Sequence, residues 1–233
     1  MPRGSSLARI VSRLEKHYGP VAPPPAHTAF ALVLWEKVAY LATDAKRAAA
    51  FALLKDRVGL TPEAILAAAP GLLREACSAG GSAGILERVD NMRDAAAWIV
   101  HDLGGSLDSV LALPMSEAVR NLRRIRGIGL PGAERILLLM RAQLVLAPDS
   151  NAVRTLIRLG YGAEHRDYSK MYASVVAATR SELVLDYDWL IDAHVLLRHH
   201  GQELCKRSAP RCDFCPVKST CAHFAAISRQ LEG

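Results

Sequence analysis

The chain has 233 residues, 51% of them apolar and 22% charged, with a formal net charge of +6 and an isoelectric point near 9.2. This composition excludes wholesale disorder, allows one large domain or two lobes of ordinary size, and points weakly to a polyanionic partner. Of the five cysteines, four fall between residues 205 and 221, which excludes a disulfide framework spread along a secreted chain and raises metal binding instead.

Met1 to Lys16 alternates basic and apolar residues and has no long apolar core, so it does not read as a signal peptide. The uncharged stretch Tyr18 to Trp35 carries Pro20, Pro23, Pro24 and Pro25, and the apolar remainder is too short to span a bilayer. A soluble protein of a reducing, cytoplasmic compartment is expected. Leu7 to His17 shows a helical stripe at Leu7, Ile10, Val11 and Leu14. The proline run 20–25 reads as a rigid connector. Thr28 to Val58 is rich in alanine and leucine and reads as two helices broken near Ala42-Thr43-Asp44.

Thr61-Pro62-Glu63 combines an N-cap, an N1 proline and a first-turn acid, so a helix starts there and runs to the loop Ala79–Gly84. Ile85 to Leu103 returns to helical period and ends at Gly104-Gly105. Ser116-Glu117 starts a helix through Ile125, Gly127-Ile128-Gly129 is a tight turn, and Pro131 to Leu146 is the next helix, stopped by Pro148. Asp149-Ser150-Asn151 offers caps for a helix ending at Gly160. Two more helices are expected near Tyr168–Glu182 and Tyr187–His199. No segment alternates as a strand would, so the predicted class is all-α.

Cys205, Cys212, Cys215 and Cys221 are spaced C-x6-C-x2-C-x5-C. Four thiolates can close a tetrahedral zinc site or hold a cubane iron–sulfur cluster. Structural zinc usually shows two close pairs. Here only Cys212 and Cys215 form one, and the uneven outer spacing favours the larger cluster over a zinc knuckle. Lys206, Arg207, Arg211 and Lys218 sit in this loop against a single acid, Asp213, an arrangement suited to gripping phosphate. The bland alternative is a loop kept soluble by its charges. Cys77, on an alanine-rich helix, reads as a small core residue.

The turn Gly127-Ile128-Gly129 presents backbone N–H groups beside a helix start, an anion site able to hold a DNA phosphate without reading sequence. Between Arg120 and Arg141 there are six arginines, Arg126 among them, and one acid, Glu134. A G-x-G turn alone is weak evidence, because any helical hairpin can use it.

Arg126-Gly127-Ile128-Gly129, then Pro148-Asp149-Ser150-Asn151, then His200-Gly201 and the four cysteines together resemble the helix-hairpin-helix base-excision DNA glycosylases, and more closely the endonuclease III and adenine-mismatch branch. The resemblance spans roughly residues 27 to 223. It implies a two-lobed fold: a six-helix barrel over residues 27–143 with the hairpin motif at about 116–143, and a discontinuous lobe of residues 1–26 and 144–233 holding a [4Fe–4S] cluster in the loop 205–221. It implies double-stranded DNA with a damaged or mismatched base as the partner, bound by a monomer in the nucleoid, with the base flipped between the lobes. The cluster ligands would be Cys205, Cys212, Cys215 and Cys221, and DNA would be held by Arg126, Gly127, Ile128, Gly129, Lys206, Arg207 and Arg211.

The family's catalytic aspartate falls on Asp149, at the matching distance from Gly127. A carboxylate there stabilises the sugar cation as the base leaves, or activates water; a plain N-cap is the structural alternative. Bifunctional members carry a lysine two residues after the second hairpin glycine, where this chain has Pro131. That departure implies base release without strand cleavage. A second departure is Leu34-Trp35-Glu36-Lys37-Val38 on the early barrel helix. Here Trp35 is a candidate to stack on DNA, Glu36 to protonate a leaving base and Lys37 to supply an amine, against core packing for Trp35 and a solvated face for the other two. The competing functions are a bifunctional enzyme using another lysine, Lys37 first, and a DNA-damage-binding protein without chemistry.

Overall fold

A computed structural model describes residues 6–40 and 42–231, all helices, turns and loops with no strand among them. The N-terminal residues 1–5 lie outside the described residues. Thirteen α-helices are assigned: α1 (Leu7–Tyr18), α2 (Ala29–Lys37), α3 (Asp44–Arg57), α4 (Pro62–Ala67), α5 (Pro70–Ala79), α6 (Ile85–Leu103), α7 (Asp108–Leu111), α8 (Met115–Leu122), α9 (Leu130–Leu139), α10 (Ser150–Leu159), α11 (Tyr168–Thr179), α12 (Tyr187–Glu203) and α13 (Ala222–Leu231). The chain divides into two compact units. One is Pro24–Gln143; the other joins the N-terminal helix to the chain from Leu144 onward.

The helix starts follow local chemistry. Thr28, Thr43 and Thr61 each accept a hydrogen bond from the amide three residues on, and Asp149, Asp167 and Asp186 do the same for α10, α11 and α12. Each such cap is worth about 1 kcal/mol. α1 has no side-chain cap of its own; the Leu7 amide instead donates to the Glu182 carboxylate at 2.6 Å, which also accepts from the Tyr161 hydroxyl at 2.7 Å.

Two boundaries differ from expectation. The helix expected from Thr61 to Ala79 is two, because Pro70 lacks the N–H that would continue α4 and sits in the first turn of α5. α9 stops at Leu139, seven residues before the expected Leu146. Arg141 there turns to φ 54°, and the Ala142 amide folds back on the Leu137 carbonyl. The apolar run Leu144–Leu146 continues the pattern that the backbone abandons. Two helices, α7 and α13, were not expected; α7 has only four residues, too few to show a period.

The core of the first unit is lined by α2, which is apolar all round: Phe30, Ala31, Leu32, Val33 and Leu34 are all buried, along with Leu54, Ile65, Met92, Ile99 and Ile136 from surrounding helices. In the second unit, α10 packs most extensively on α12, and α1 covers α12 with Leu7, Ile10, Val11 and Leu14. Gly201 lets the α10–α12 pair close: a Cβ there would lie 2.6 Å from the Asn151 carbonyl oxygen.

Candidate functional site

In the second unit, Asp149 caps α10. Its Oδ1 accepts from the amides of Asn151 and Ala152, both at 2.9 Å. Its Oδ2 takes the Arg198 Nε from α12 at 3.2 Å and the Asn151 side-chain amide at 3.2 Å. The side chain is 16% exposed, so the hydrogen-bonded carboxyl group is not wholly sealed from solvent. From Asn151 the contacts run on. Its Oδ1 accepts from Arg154 Nη2 at 3.0 Å, and Arg154 donates through Nε to the Cys205 carbonyl at 2.9 Å and through Nη2 to the Gly201 carbonyl at 2.6 Å. A continuous set of polar contacts thus joins the carboxylate to the first cysteine. Burial lowers the affinity of the Arg154 guanidinium for its proton, partly offset by Cys205.

Cys205, Cys212, Cys215 and Cys221 line one pocket, closed beneath by Leu159, Leu204, Val217 and Phe224. All four are unbridged. As free thiols, burial pushes Cys215 up to about 11 and raises Cys212 and Cys221. Among the described residues, no three histidine, cysteine or acidic side chains gather where they could hold one metal ion. The four sulfurs therefore share a pocket without converging on a point. Arg158 closes the loop from α10: its guanidinium donates to the carbonyls of Lys206 at 2.7 Å and Arg207 at 3.2 Å, and stands 3.4 Å from the Cys205 sulfur. His200 lies under the loop, its Nδ1 at 2.8 Å from the Tyr18 hydroxyl and its Nε2 at 3.6 Å from the Cys215 sulfur. Burial, with the charges of His17 and His199, pushes its imidazole down to about 4, so it is neutral at pH 7. Lys206, Arg207 and Arg211 are exposed, as is Phe214 at 73%.

In the first unit, the hairpin joins α8 to α9. Gly127 takes φ 74°, a left-handed conformation that favours glycine. Ile128 turns its side chain into the core, so only its backbone faces outward, and its amide is used by the Ile125 carbonyl at 2.9 Å. Arg126 is exposed. Gly129 has an ordinary φ of −82°, and a Cβ there would meet only Pro131 Cδ at 3.8 Å. Folding therefore does not require glycine at 129, whereas close approach of a phosphate to the first amides of α9 would. Gly129→Ala is expected to leave the melting temperature unchanged. If the first amides of α9 take a phosphate, the same substitution weakens binding of a labelled duplex about tenfold in fluorescence anisotropy, the loss of one or two charge-assisted hydrogen bonds; unchanged affinity would exclude the hairpin as a phosphate site.

The segment Trp35–Val38 is tied down residue by residue. The Trp35 carbonyl accepts from Arg47 at 2.7 Å, and its ring packs edge-on to Phe51 at 5.3 Å. Glu36 forms a two-pronged pair with Arg135, at 2.7 and 3.2 Å. Lys37 is only 6% exposed and donates to the Arg126 carbonyl at 2.5 Å. The Val38 carbonyl accepts from buried Arg88 at 2.8 Å, which also donates to Gly81. Burial lowers the affinity of the Lys37 amine for its proton, with Glu36 and Glu87 opposing. These side chains join α2 to α3, α6, α9 and the hairpin.

Sequence reasoning missed Arg198, Arg135, Arg154 and Arg158. The last two had a signal: Asn151, Arg154 and Arg158 recur at helical spacing on α10, a polar stripe on an otherwise apolar helix.

No protein-family model matches the chain. Among curated proteins, "Transcriptional activator DEMETER" of Arabidopsis thaliana is 29% identical over 147 residues, 58% of this chain and 7% of that protein. "Endonuclease III" of Rickettsia prowazekii is 28% identical over 107 residues, 45% of this chain and 46% of that protein. The match thus spans less than half the length of these relatives. Solved structures match over nearly the whole chain. A non-covalent endonuclease III–DNA complex superposes with a TM-score of 0.75 at 18% identity, covering 96% of this chain and 97% of that one. A thermostable thymine-DNA glycosylase gives 0.72 at 14% identity, covering 94% and 95%. No described helix is long and apolar enough to cross a membrane.

Proposed function

We propose that this chain, whose all-α fold is that of endonuclease III and the helix-hairpin-helix glycosylases, is a base-excision DNA glycosylase that releases a damaged or mismatched base and leaves the strand intact. The observation that carries the reading is Asp149. It is a carboxylate fixed at the start of α10 by two amides, an asparagine and an arginine, and still 16% exposed.

In this reading the bond from the sugar C1′ to the base nitrogen breaks, and its electron pair leaves with the base. Asp149 stabilises the positive charge left on the sugar and takes the proton of the water that attacks C1′. The preformed contacts keep the carboxylate from having to reorganise as charge develops. The hairpin amides and the exposed bases of the loop Lys206–Arg211 hold the phosphodiester backbone.

A lysine nucleophile is absent from this scheme. Pro131 occupies the place where bifunctional members carry one, and Lys37 spends its amine on the Arg126 carbonyl inside the barrel unit. Glu36, with both oxygens on Arg135, is assigned a structural role, as is Trp35 against Phe51.

The test is a panel of duplexes carrying uracil, thymine mismatches, oxidised pyrimidines, alkylated purines and adenine opposite oxidised guanine. At least one is expected to break after hot alkali but not before, and borohydride with abasic DNA is expected to trap no adduct. No cleavage on any lesion, with abasic controls reading correctly, would overturn the glycosylase. A borohydride adduct lost in Lys37→Ala would overturn the monofunctional assignment.

The donor set fits a [4Fe–4S] cluster. Four thiols line one pocket, and only Cys212 and Cys215 form a close pair in sequence, where structural zinc usually has two. Such a cluster would be held by Cys205, Cys212, Cys215 and Cys221 and would supply a four-point tie across the basic loop. With all four ligands from the protein, it has no open position for hydrolysis. Purified protein is expected to be brown and to contain iron and acid-labile sulfide at about four each per chain; a colourless protein with one zinc would overturn the assignment.

A further inference from the structure

The second unit carries a groove that the scheme above does not use. Its volume is about 570 Å3, and it runs along one face of α10 from Ser150 through Arg154 and Arg158. His165 and Arg166 from the segment before α11, Tyr168 at its start and Arg207 of the cysteine loop line the rest of it. Four arginines face one acid, Glu164. Arg154 and Arg158 are committed to backbone carbonyls but remain cationic, so the groove floor is positive even where its donors are taken. Arg166 and Arg207 are exposed. Tyr168 also lines the groove, 40% exposed and tilted against Tyr172 at 6.4 Å between centroids.

Basic residues along a groove with an aromatic face are the two parts of a single-strand nucleic acid site. The charges follow the phosphates and the ring stacks a base of any identity. Duplex DNA has its bases already stacked and would make no use of the ring. An acidic peptide would use the arginines but gain little from Tyr168. Ser150, the residue after Asp149, lines the groove, which places it on the helix that Asp149 caps.

We infer that this groove binds an unpaired stretch of DNA flanking the lesion site, with Arg166 and Tyr168 as two of its contacts. The inference rests on the glycosylase reading for its ligand, but its test separates the two. Anisotropy is measured with an undamaged blunt duplex and with the same duplex extended by six unpaired nucleotides at either end. One of the two overhangs is expected to tighten binding about tenfold, the worth of one stacked base and one phosphate contact. Arg166→Ala and Tyr168→Ala are each expected to cut that gain to threefold or less while leaving blunt-duplex affinity within twofold. Tyr168→Phe keeps the ring and should keep the gain. Equal binding of blunt and extended duplexes by the wild type overturns the groove assignment, and so does a gain that survives both alanine variants. A loss in Tyr168→Ala that Phe does not rescue overturns the stacking role. Failure to bind any duplex would count instead against the glycosylase reading.

Discussion

Asp149→Asn is expected to slow base release about 10³-fold while leaving the protein folded. The substitution separates two roles that share one side chain. Asparagine is as good an N-cap as aspartate, so the amides of Asn151 and Ala152 keep an acceptor. What is lost is the negative charge that the proposed mechanism calls on and the ion pair with Arg198. That pair is partly exposed, and its loss should cost about 1 kcal/mol. Asp149→Ala removes the cap as well and should melt lower by about a further 1 kcal/mol with no slower chemistry. Single-turnover rates on the best lesion of the panel, beside thermal melts of both variants, give the comparison. An asparagine variant as fast as the wild type would reduce Asp149 to a helix cap.

The second large effect belongs to a residue with no side chain of its own to offer the chemistry. Gly201→Ala places a methyl group 2.6 to 2.8 Å from the Asn151 carbonyl oxygen, carbonyl carbon and Cβ, all of which belong to or flank helix backbone. Backbone cannot swing aside as a flexible side-chain tip can, so α10 and α12 must separate. The expected loss is about 3 kcal/mol, or roughly 6 to 12 °C in melting temperature for a chain of this size. Asn151 carries the contacts between Asp149 and Arg154, so base release should fall as well. Gly71→Ala is the control: a Cβ there meets nothing within 4 Å. If Gly201→Ala melts with the wild type, the close approach of these helices is not as described.

The fold class was legible because apolar periodicity, threonine and aspartate caps and helix-start prolines all point the same way. Thr61 and Asp149 were readable as caps from the sequence, whereas the cap at Thr28 was not singled out. The end of α9 was not, since the residues beyond Leu139 keep a helical pattern while tertiary packing turns the backbone at Arg141. The four cysteines and the hairpin were legible as motifs. The roles of Trp35, Glu36 and Lys37 were not, because each depends on a partner distant in sequence: Phe51, Arg135 and Arg126. A single chain read alone carries no record of such pairings. For the same reason, a lysine that reads as an available amine on a helix turns out to be a buried brace for the hairpin.

α10 has one further consequence. Ten residues of helix make a rod about 15 Å long. One end presents Asp149, and the other lies against the cysteine loop through Arg158 and the Cys221 sulfur, 3.2 Å from the Arg158 carbonyl. A rod transmits tilt. A disturbance of the loop that shifts its far end by a fraction of an ångström re-aims the carboxylate by a similar amount, with no change in any residue near the sugar. Substitutions in the loop should therefore mimic active-site lesions in their kinetics, and slow turnover alone will not reveal at which end of the rod the damage lies.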